Sequence, residues 1–184
     1  MFNLEKFAEA CYRQHDVECN QKYNDYLPYS FHIKMVIAQH AKFAHLLDSE
    51  ERIITRAGCD SHDLIEDARM NWNAIVALAM SYGATKSQAE RIADIVILCT
   101  EFSRGKTRAE RKPEEFYIAL QSDKLAAFVK LCDIIANSLF SCLSNSSMFE
   151  KYKKEFPKLL EKLSVHTELL PMLKYLEDIY CLKP

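Results

Sequence analysis

Apolar residues recur along this chain at intervals of three and four almost from end to end, the spacing that gathers side chains on one face of an α-helix. A first helix is predicted over roughly Leu4 to His15, followed by an irregular polar segment that ends at Pro28. A second runs from about Tyr29 to Leu47, with Phe31, Met35, Val36, Ala38, Ala41, Phe43 and Ala44 as its buried side. The stretch DSEERIITRAGCDSHDLIEDA opens on Asp48 or Ser49, short oxygen-bearing side chains that can accept from the first unpaired helix amides. Its pattern predicts helix straight through the acidic residues. Asn71 to Tyr82 is stopped by Gly83, and Lys86 to Thr100 forms the next helix. The polar run EFSRGKTRAERKPEE interrupts the pattern before a short helix near Glu114 to Leu120. Ser122 or Asp123 then caps KLAAFVKLCDIIANSLFSCL. Two further helices cover Met148 to Leu163, bent by Pro157, and Leu169 to Cys181, with Pro171 near its start. The expected fold is all-α, with about eight or nine helices in one domain, a core over about 7–162 and a C-terminal helical extension over 163–184.

Composition supports that division. A chain of 184 residues suffices for one well-cored domain, and three glycines and five prolines are few for the turns of a sheet protein. The formal charge of −2 leaves no broad basic field to hold a nucleic-acid duplex. The opening MFNLEKFAEACYRQHD carries charges inside its apolar pattern, unlike a secretory signal, and no later run reaches the ~18 uninterrupted apolar residues of a membrane span. A cytoplasmic protein is the expectation. The seven cysteines are odd in number and form no C-x-x-C pair, which favours reduced core thiols over a disulfide or zinc-thiolate framework.

Chemistry concentrates in GCDSHDLIEDA, where Asp60, His62, Asp63, Glu66 and Asp67 fall within eight positions. On a helix, His62 would lie over Glu66, and Asp63 over Glu66 and Asp67. A solvated face also carries charges at this spacing, commonly with cations interleaved, but none lies between Asp60 and Asp67. Carboxylates crowded beside an imidazole repel one another unless a proton or a bound cation offsets them, and a divalent metal does so. Asp133 and Asn137, four apart amid Val129, Leu131, Ile134 and Ile135, are a second candidate. A carboxylate there is costly unless it pairs with a cation such as Lys130 or Arg56, or coordinates an ion. His32, His40 and His45 are candidates for a further ligand from the second helix.

His32, His62-Asp63 and Asp133 in that order resemble the H…HD…D signature of the HD-domain metal-dependent phosphohydrolases. The longer stretches LPYSFH, HDLIED and KLCDIIANSL resemble the hydrolase domain of RelA/SpoT-type enzymes and their small stand-alone relatives. Those carry P-Y-x-x-H, H-D-x-x-E-D and K-x-A-D-x-x-x-N, and remove the 3′-pyrophosphate of guanosine tetra- and pentaphosphate, usually with manganese. The resemblance covers roughly Phe7 to Lys162. It implies His32, His62, Asp63 and Asp133 as metal ligands, Glu66 and Asp67 as the catalytic acidic pair, and Asn137 near the nucleotide. Lys22, Lys106, Arg111 and Tyr152 are the implied substrate contacts.

The implied cofactor is Mn²⁺, with Fe²⁺ or Zn²⁺ as alternatives for the same mixed nitrogen and oxygen set. The implied partner is a small nucleotide, and self-association through the C-terminal helix stays open. The chain departs from the family at Gly58-Cys59-Asp60-Ser61 and Ala68, in the reduction of the basic cluster before Pro28 to Lys22, and at Met148. Those departures bear on the nucleotide more than on the metal. An HD-type nucleotidase or deoxynucleotide triphosphohydrolase, or a non-catalytic nucleotide-binding sensor or adaptor, remain as alternatives.

Overall fold

A computed structural model describes residues 1–101 and 107–182. Its helices are α1 (Leu4–Arg13), α2 (Tyr29–Phe43), α3 (Ser49–Ser61), α4 (Trp72–Ser81), α5 (Lys86–Cys99), the single turn α6 (Arg108–Arg111), α7 (Glu114–Ser122), α8 (Lys124–Leu143), α9 (Met148–Leu163) and α10 (Leu170–Cys181). Among the described residues the only strands are β1 (Lys22–Tyr23) and β2 (Leu27–Pro28), paired antiparallel as Lys22 with Pro28 and Tyr23 with Leu27. The fold is all-α, as the periodicity predicts.

The centre of the fold is α8. It packs against α2, α3, α5, α7, α9 and α10, and so it is buried nearly all round rather than on one stripe. By length and hydropathy α8 could cross a membrane, but 78% of that apolar window lies inside the fold, as in a core helix. Its start is fixed by Asp123, which accepts from the amides of Leu125 and Ala126 and forms a two-pronged ion pair with Arg91 of α5 at 2.5 and 2.9 Å. The neighbouring α3 opens with a reciprocal cap. Asp48 accepts from Glu50 and Glu51 amides, and the Glu51 side chain accepts from Asp48 N–H. A glycine sits in mid-α3 because the helices approach closely there: a Cβ on Gly58 would stand 3.2 Å from Val129 of α8 and 3.3 Å from Ile95 of α5.

Two boundaries and one buried face differ from the sequence expectation. The first helix gives way after Arg13 to a wider π-helical turn, Gln14–Glu18, in which the Cys19 amide reaches back to Gln14 O. The third stops at Ser61 instead of running through the acidic residues: Leu64 N–H donates to Ser61 O, a tighter turn, and the chain leaves through Arg69 at φ 53°. The second keeps its predicted start but buries Ser30, His32, Ile33, Val36, His40 and Phe43. Phe31, Ala38 and Ala41 face solvent instead, since the core lies on the side where the histidines point. The predicted C-terminal helices appear as α9, which runs through Pro157, and α10, with proline in its first turn.

His40 is one of those buried imidazoles. The Thr55 hydroxyl donates to Glu51 O at 2.6 Å, so the ring Nε2 must donate to Thr55 Oγ1 across 3.0 Å. Burial, with the charges of Arg56 and Arg52, lowers its pKa to about 4. A folded-state value below that of the unfolded chain means that the contribution to stability is complete above about pH 6.5 and is lost as pH falls toward 4. Urea unfolding of wild type should therefore lose about 2 kcal/mol more between pH 7 and 4.5 than His40→Gln, whose amide keeps a donor but does not titrate. Parallel pH dependences would contradict this assignment.

Candidate metal centre

Three elements deliver one cluster of four residues. His32 lies in the first turn of α2, His62 and Asp63 directly beyond the end of α3, and Asp133 in the middle of α8. The His32 and His62 Nε2 atoms face each other at 3.3 Å. Asp63 Oδ2 is 2.9 Å from His62 Nε2 and 3.7 Å from His32 Nε2, and Asp133 Oδ1 is 3.3 Å from His32 Nε2 and 3.9 Å from His62 Nε2. Atoms ~2.1 Å from one shared ion stand about 3.0 to 3.5 Å apart, so these separations suit ligands around one centre. His32, His62 and Asp63 form a group that could hold a metal ion, and Asp133 closes on both imidazoles from the opposite helix.

The ring orientations follow from local structure. Cys59 lies in the last turn of α3, where carbonyls lack helical partners, and its oxygen accepts from His62 Nδ1 at 2.9 Å. That bond turns Nε2 toward the cluster, as the atom that would face a bound ion. Tyr23 of β1 stacks on the His32 ring, centroids 4.9 Å apart at 17°. The Tyr29 hydroxyl donates to Asp63 Oδ2 at 2.5 Å, which aims that carboxylate.

Electrostatics single out the pair of imidazoles. Burial opposes the charged form of both, but Asp63 and Asp133 outweigh it, raising His62 to about 10 and His32 above its ordinary value. Each ring's charge also disfavours the other's, and two N–H bonds cannot both point into a 3.3 Å gap. A cation accepting both lone pairs removes that conflict while keeping both carboxylates ionised. The donor set therefore fits a divalent ion.

Asp133 is shared with a resident cation. Its Oδ2 meets Lys130 Nζ at 3.1 Å, and Lys130 is only 4% exposed. Its Oδ1 also accepts from Asn137 Nδ2 at 2.5 Å, and the Asn137 carbonyl accepts from the Tyr23 hydroxyl at 2.8 Å. Burial raises the Asp133 carboxyl, but Lys130 and the two imidazoles hold it below the ordinary range. The expected ion pair of Asp133 is thus made by one oxygen, while the other faces the two imidazoles. Lys130 is the cation the acidic stretch lacks along the chain. Arg56 serves Asp60 instead, at 3.1 Å, and Asp60 is fully buried against Tyr12 as well, outside the cluster.

The acidic pair is held by a turn, not by stacked helical positions. Glu66 Oε1 accepts from the Glu101 amide at 2.7 Å. Desolvation of its carboxyl, with Asp63 and Glu101 nearby, outweighs the opposing charge of Lys130 and raises it to about 7. Desolvation and the Asp63 charge raise the Asp67 carboxyl too.

The expected substrate contacts fall in two groups. Tyr152 of α9 lies within electrostatic range of Tyr23, and Asn137 is fastened to Asp133. Arg111 Nε lies 3.5 Å from Glu101 Oε2, one residue removed from Glu66, and the neighbouring Lys112 joins Glu101 to Glu155 at 3.2 Å each. Lys22 is exposed on β1, and Lys106 lies outside the described residues. Tyr23 and Tyr29 take part in the centre beyond the residues expected there, and Lys130 makes with Asp133 the ion pair that the sequence offered. The sequence signals for Tyr29 and Lys130 were the tyrosine before His32 and the lysine one turn before Asp133. Nothing local marked Tyr23.

No protein-family model matches the chain, and no curated protein is significantly similar to it.

Protons and a metal would compete for the same nitrogens, and the neighbouring carboxylates raise both imidazoles. Mn²⁺ affinity, measured by calorimetry from pH 6 to 8, should therefore increase about tenfold per pH unit for each proton released. A flat profile would contradict the ligand set.

Proposed function

We propose that this protein is a metal-dependent phosphohydrolase acting on a nucleotide pyrophosphate, with the 3′-pyrophosphate of guanosine tetra- or pentaphosphate as the leading substrate and Mn²⁺ as the leading cofactor. The observation that carries the metal is the pair of buried Nε2 atoms 3.3 Å apart, flanked by Asp63 and Asp133. The order of the His32, His62-Asp63 and Asp133 motifs supports the reaction class.

A divalent ion held by these residues would acidify a water and withdraw charge from the phosphoryl group under attack. Glu66, with a carboxyl raised to about 7, is suited to take a proton from that water near neutral pH and return it to the leaving oxygen. Asp67, the next residue in the same turn, orients the attacking water. Lys130 holds one oxygen of Asp133 so that the other faces the imidazoles. Hydrolysis proceeds by positioning and charge stabilisation, without a covalent enzyme intermediate.

A second reading keeps the centre and changes the nucleotide. Lys130, Arg111 and Lys112 each already face a carboxylate, which suits a substrate less charged than guanosine tetraphosphate, as for a nucleotidase or deoxynucleotide triphosphohydrolase. Product analysis after incubation with Mn²⁺ and a nucleotide panel separates the two: pyrophosphate supports the leading reading, and orthophosphate or tripolyphosphate the other.

Asp133→Ala should lose both Mn²⁺ binding and turnover, whereas Glu66→Ala should bind Mn²⁺ within about twofold of wild type and lose roughly 10²- to 10⁴-fold in kcat. An Asp133→Ala protein that retains metal and rate would reject the site. Absence of turnover on the whole panel, with Mn²⁺ still bound, would replace hydrolysis by a binding role.

A further inference from the structure

Glu66, which takes the proton in the proposed reaction, is held by a main-chain donor: the N–H of Glu101 reaches its Oε1 at 2.7 Å. Helix α5 anchors the chain as far as Thr100, whose N–H and hydroxyl donate to Ile97 O and Val96 O. Thr100 then leaves the helix in extended conformation, at ψ 127°. Beyond it the helical ladder no longer fixes the backbone, and the position of the Glu101 N–H depends on what anchors that residue.

The anchor is ionic. Glu101 Oε1 lies 3.2 Å from Lys112 Nζ and Oε2 lies 3.5 Å from Arg111 Nε, while Lys112 also donates to Glu155 Oε2 of α9 at 3.2 Å. Lys112 is the link between α6 and α7, so one ammonium joins that link to the chain after α5 and to α9. Its side chain is 9% exposed, against 45% for Lys158 of α9, which pairs with Glu114 at the surface. Exposed pairs contribute little to stability, and a buried pair is often no more stable than apolar side chains of similar volume, because both charges must leave water. Stability alone does not account for a lysine placed here. Its carboxylate partner, however, belongs to the residue whose N–H reaches Glu66.

We infer that Lys112 is a positioning residue for Glu66: by holding the Glu101 carboxylate against α9 it sets the Glu101 main-chain N–H where it donates to Glu66, with Arg111 as the second anchor. The inference deepens the hydrolase reading and rests on it for the role of Glu66. The connection from Lys112 through Glu101 to Glu66 does not.

Lys112→Met keeps an unbranched side chain and removes the charge, and Lys112→Arg returns a cation between the two carboxylates. Glu101→Ala removes the anchor from the other side while leaving the N–H of residue 101 in place, and it serves if Lys112→Met does not fold. Hydrogen exchange of the residue 101 amide, followed by NMR without metal or nucleotide, reads the contact directly. Its protection should fall at least about fivefold in Lys112→Met, Glu101→Ala and Glu66→Ala, with most of it restored in Lys112→Arg. With Mn²⁺ and guanosine tetraphosphate, Lys112→Met and Glu101→Ala should each lower kcat roughly tenfold with KM and Mn²⁺ affinity within about twofold, and neither should add to the loss caused by Glu66→Ala. Unchanged protection of the residue 101 amide in Lys112→Met, or in Glu101→Ala should the former not fold, would overturn the inference. So would a rate loss that adds fully to that of Glu66→Ala, or a raised KM at unchanged kcat, which would make Lys112 a substrate contact. Should the protein hydrolyse no nucleotide, the hydrolase reading fails, and the exchange measurement still decides whether Lys112 holds the Glu101 amide on Glu66.

Discussion

Two imidazoles buried face to face, each drawn up against the same carboxylates, set the terms for the rest of the structure. Neither ring can turn away: His62 is held through Nδ1 by the Cys59 carbonyl, and His32 is covered by Tyr23. Neither can simply lose its proton without leaving Asp63 and Asp133 poorly compensated. The surroundings can be understood as ways to make this arrangement tolerable. Lys130 supplies one permanent positive charge inside the core, Tyr29 and Asn137 donate to the carboxylates, and the end of α3 frees a carbonyl for His62. A buried cation beside Asp133 alters the balance anticipated from sequence, where the acidic stretch had no positive partner of its own. Lys130 thus partly neutralises the cluster within the fold itself.

The architecture explains why the ligands meet. Because α8 is buried from several sides, a carboxylate placed midway along it, Asp133, lies inside the domain whichever way it points. The close approach of α3 at Gly58 brings the end of that helix to the same depth, and the hairpin before α2 sets Tyr23 and Tyr29 around the remaining side. Helices α2 and α8 carry His32 and Asp133, while the turn after α3 carries His62, Asp63, Glu66 and Asp67.

Much of this was legible in the order of residues. Repeating apolar positions gave the helices, the caps at Asp48 and Asp123 lay where short polar side chains predict them, and the motif around Pro28-Tyr29 picked out His32 from His40 and His45. Other features escaped for physical reasons. No glycine or proline marks the end of α3 at Ser61, and the turn that follows keeps one α-type bond, Asp67 N–H to Asp63 O, so the periodicity reads as continuous helix. The buried face of α2 was misplaced because apolar residues lie on both of its sides, and the side that turns inward is the one carrying histidines that hydrogen bonds satisfy. The π turn at Gln14 leaves no compositional mark, and so the burial of His15 does not show until the chain is folded. Asp60 was counted with the acidic stretch, although its partner Arg56 sits one helical turn earlier.

The proposed centre requires both imidazole nitrogens to enter the coordination sphere of one ion. Pulsed electron paramagnetic resonance of the Mn²⁺-loaded protein reads this without reference to turnover, because directly bound nitrogens modulate the manganese signal. Coupling from two histidine nitrogens, reduced to one in His32→Ala, is the result expected. A manganese signal free of nitrogen coupling, with the ion bound through carboxylates and water alone, would show that the facing rings are a structural feature of the core and that the centre lies elsewhere.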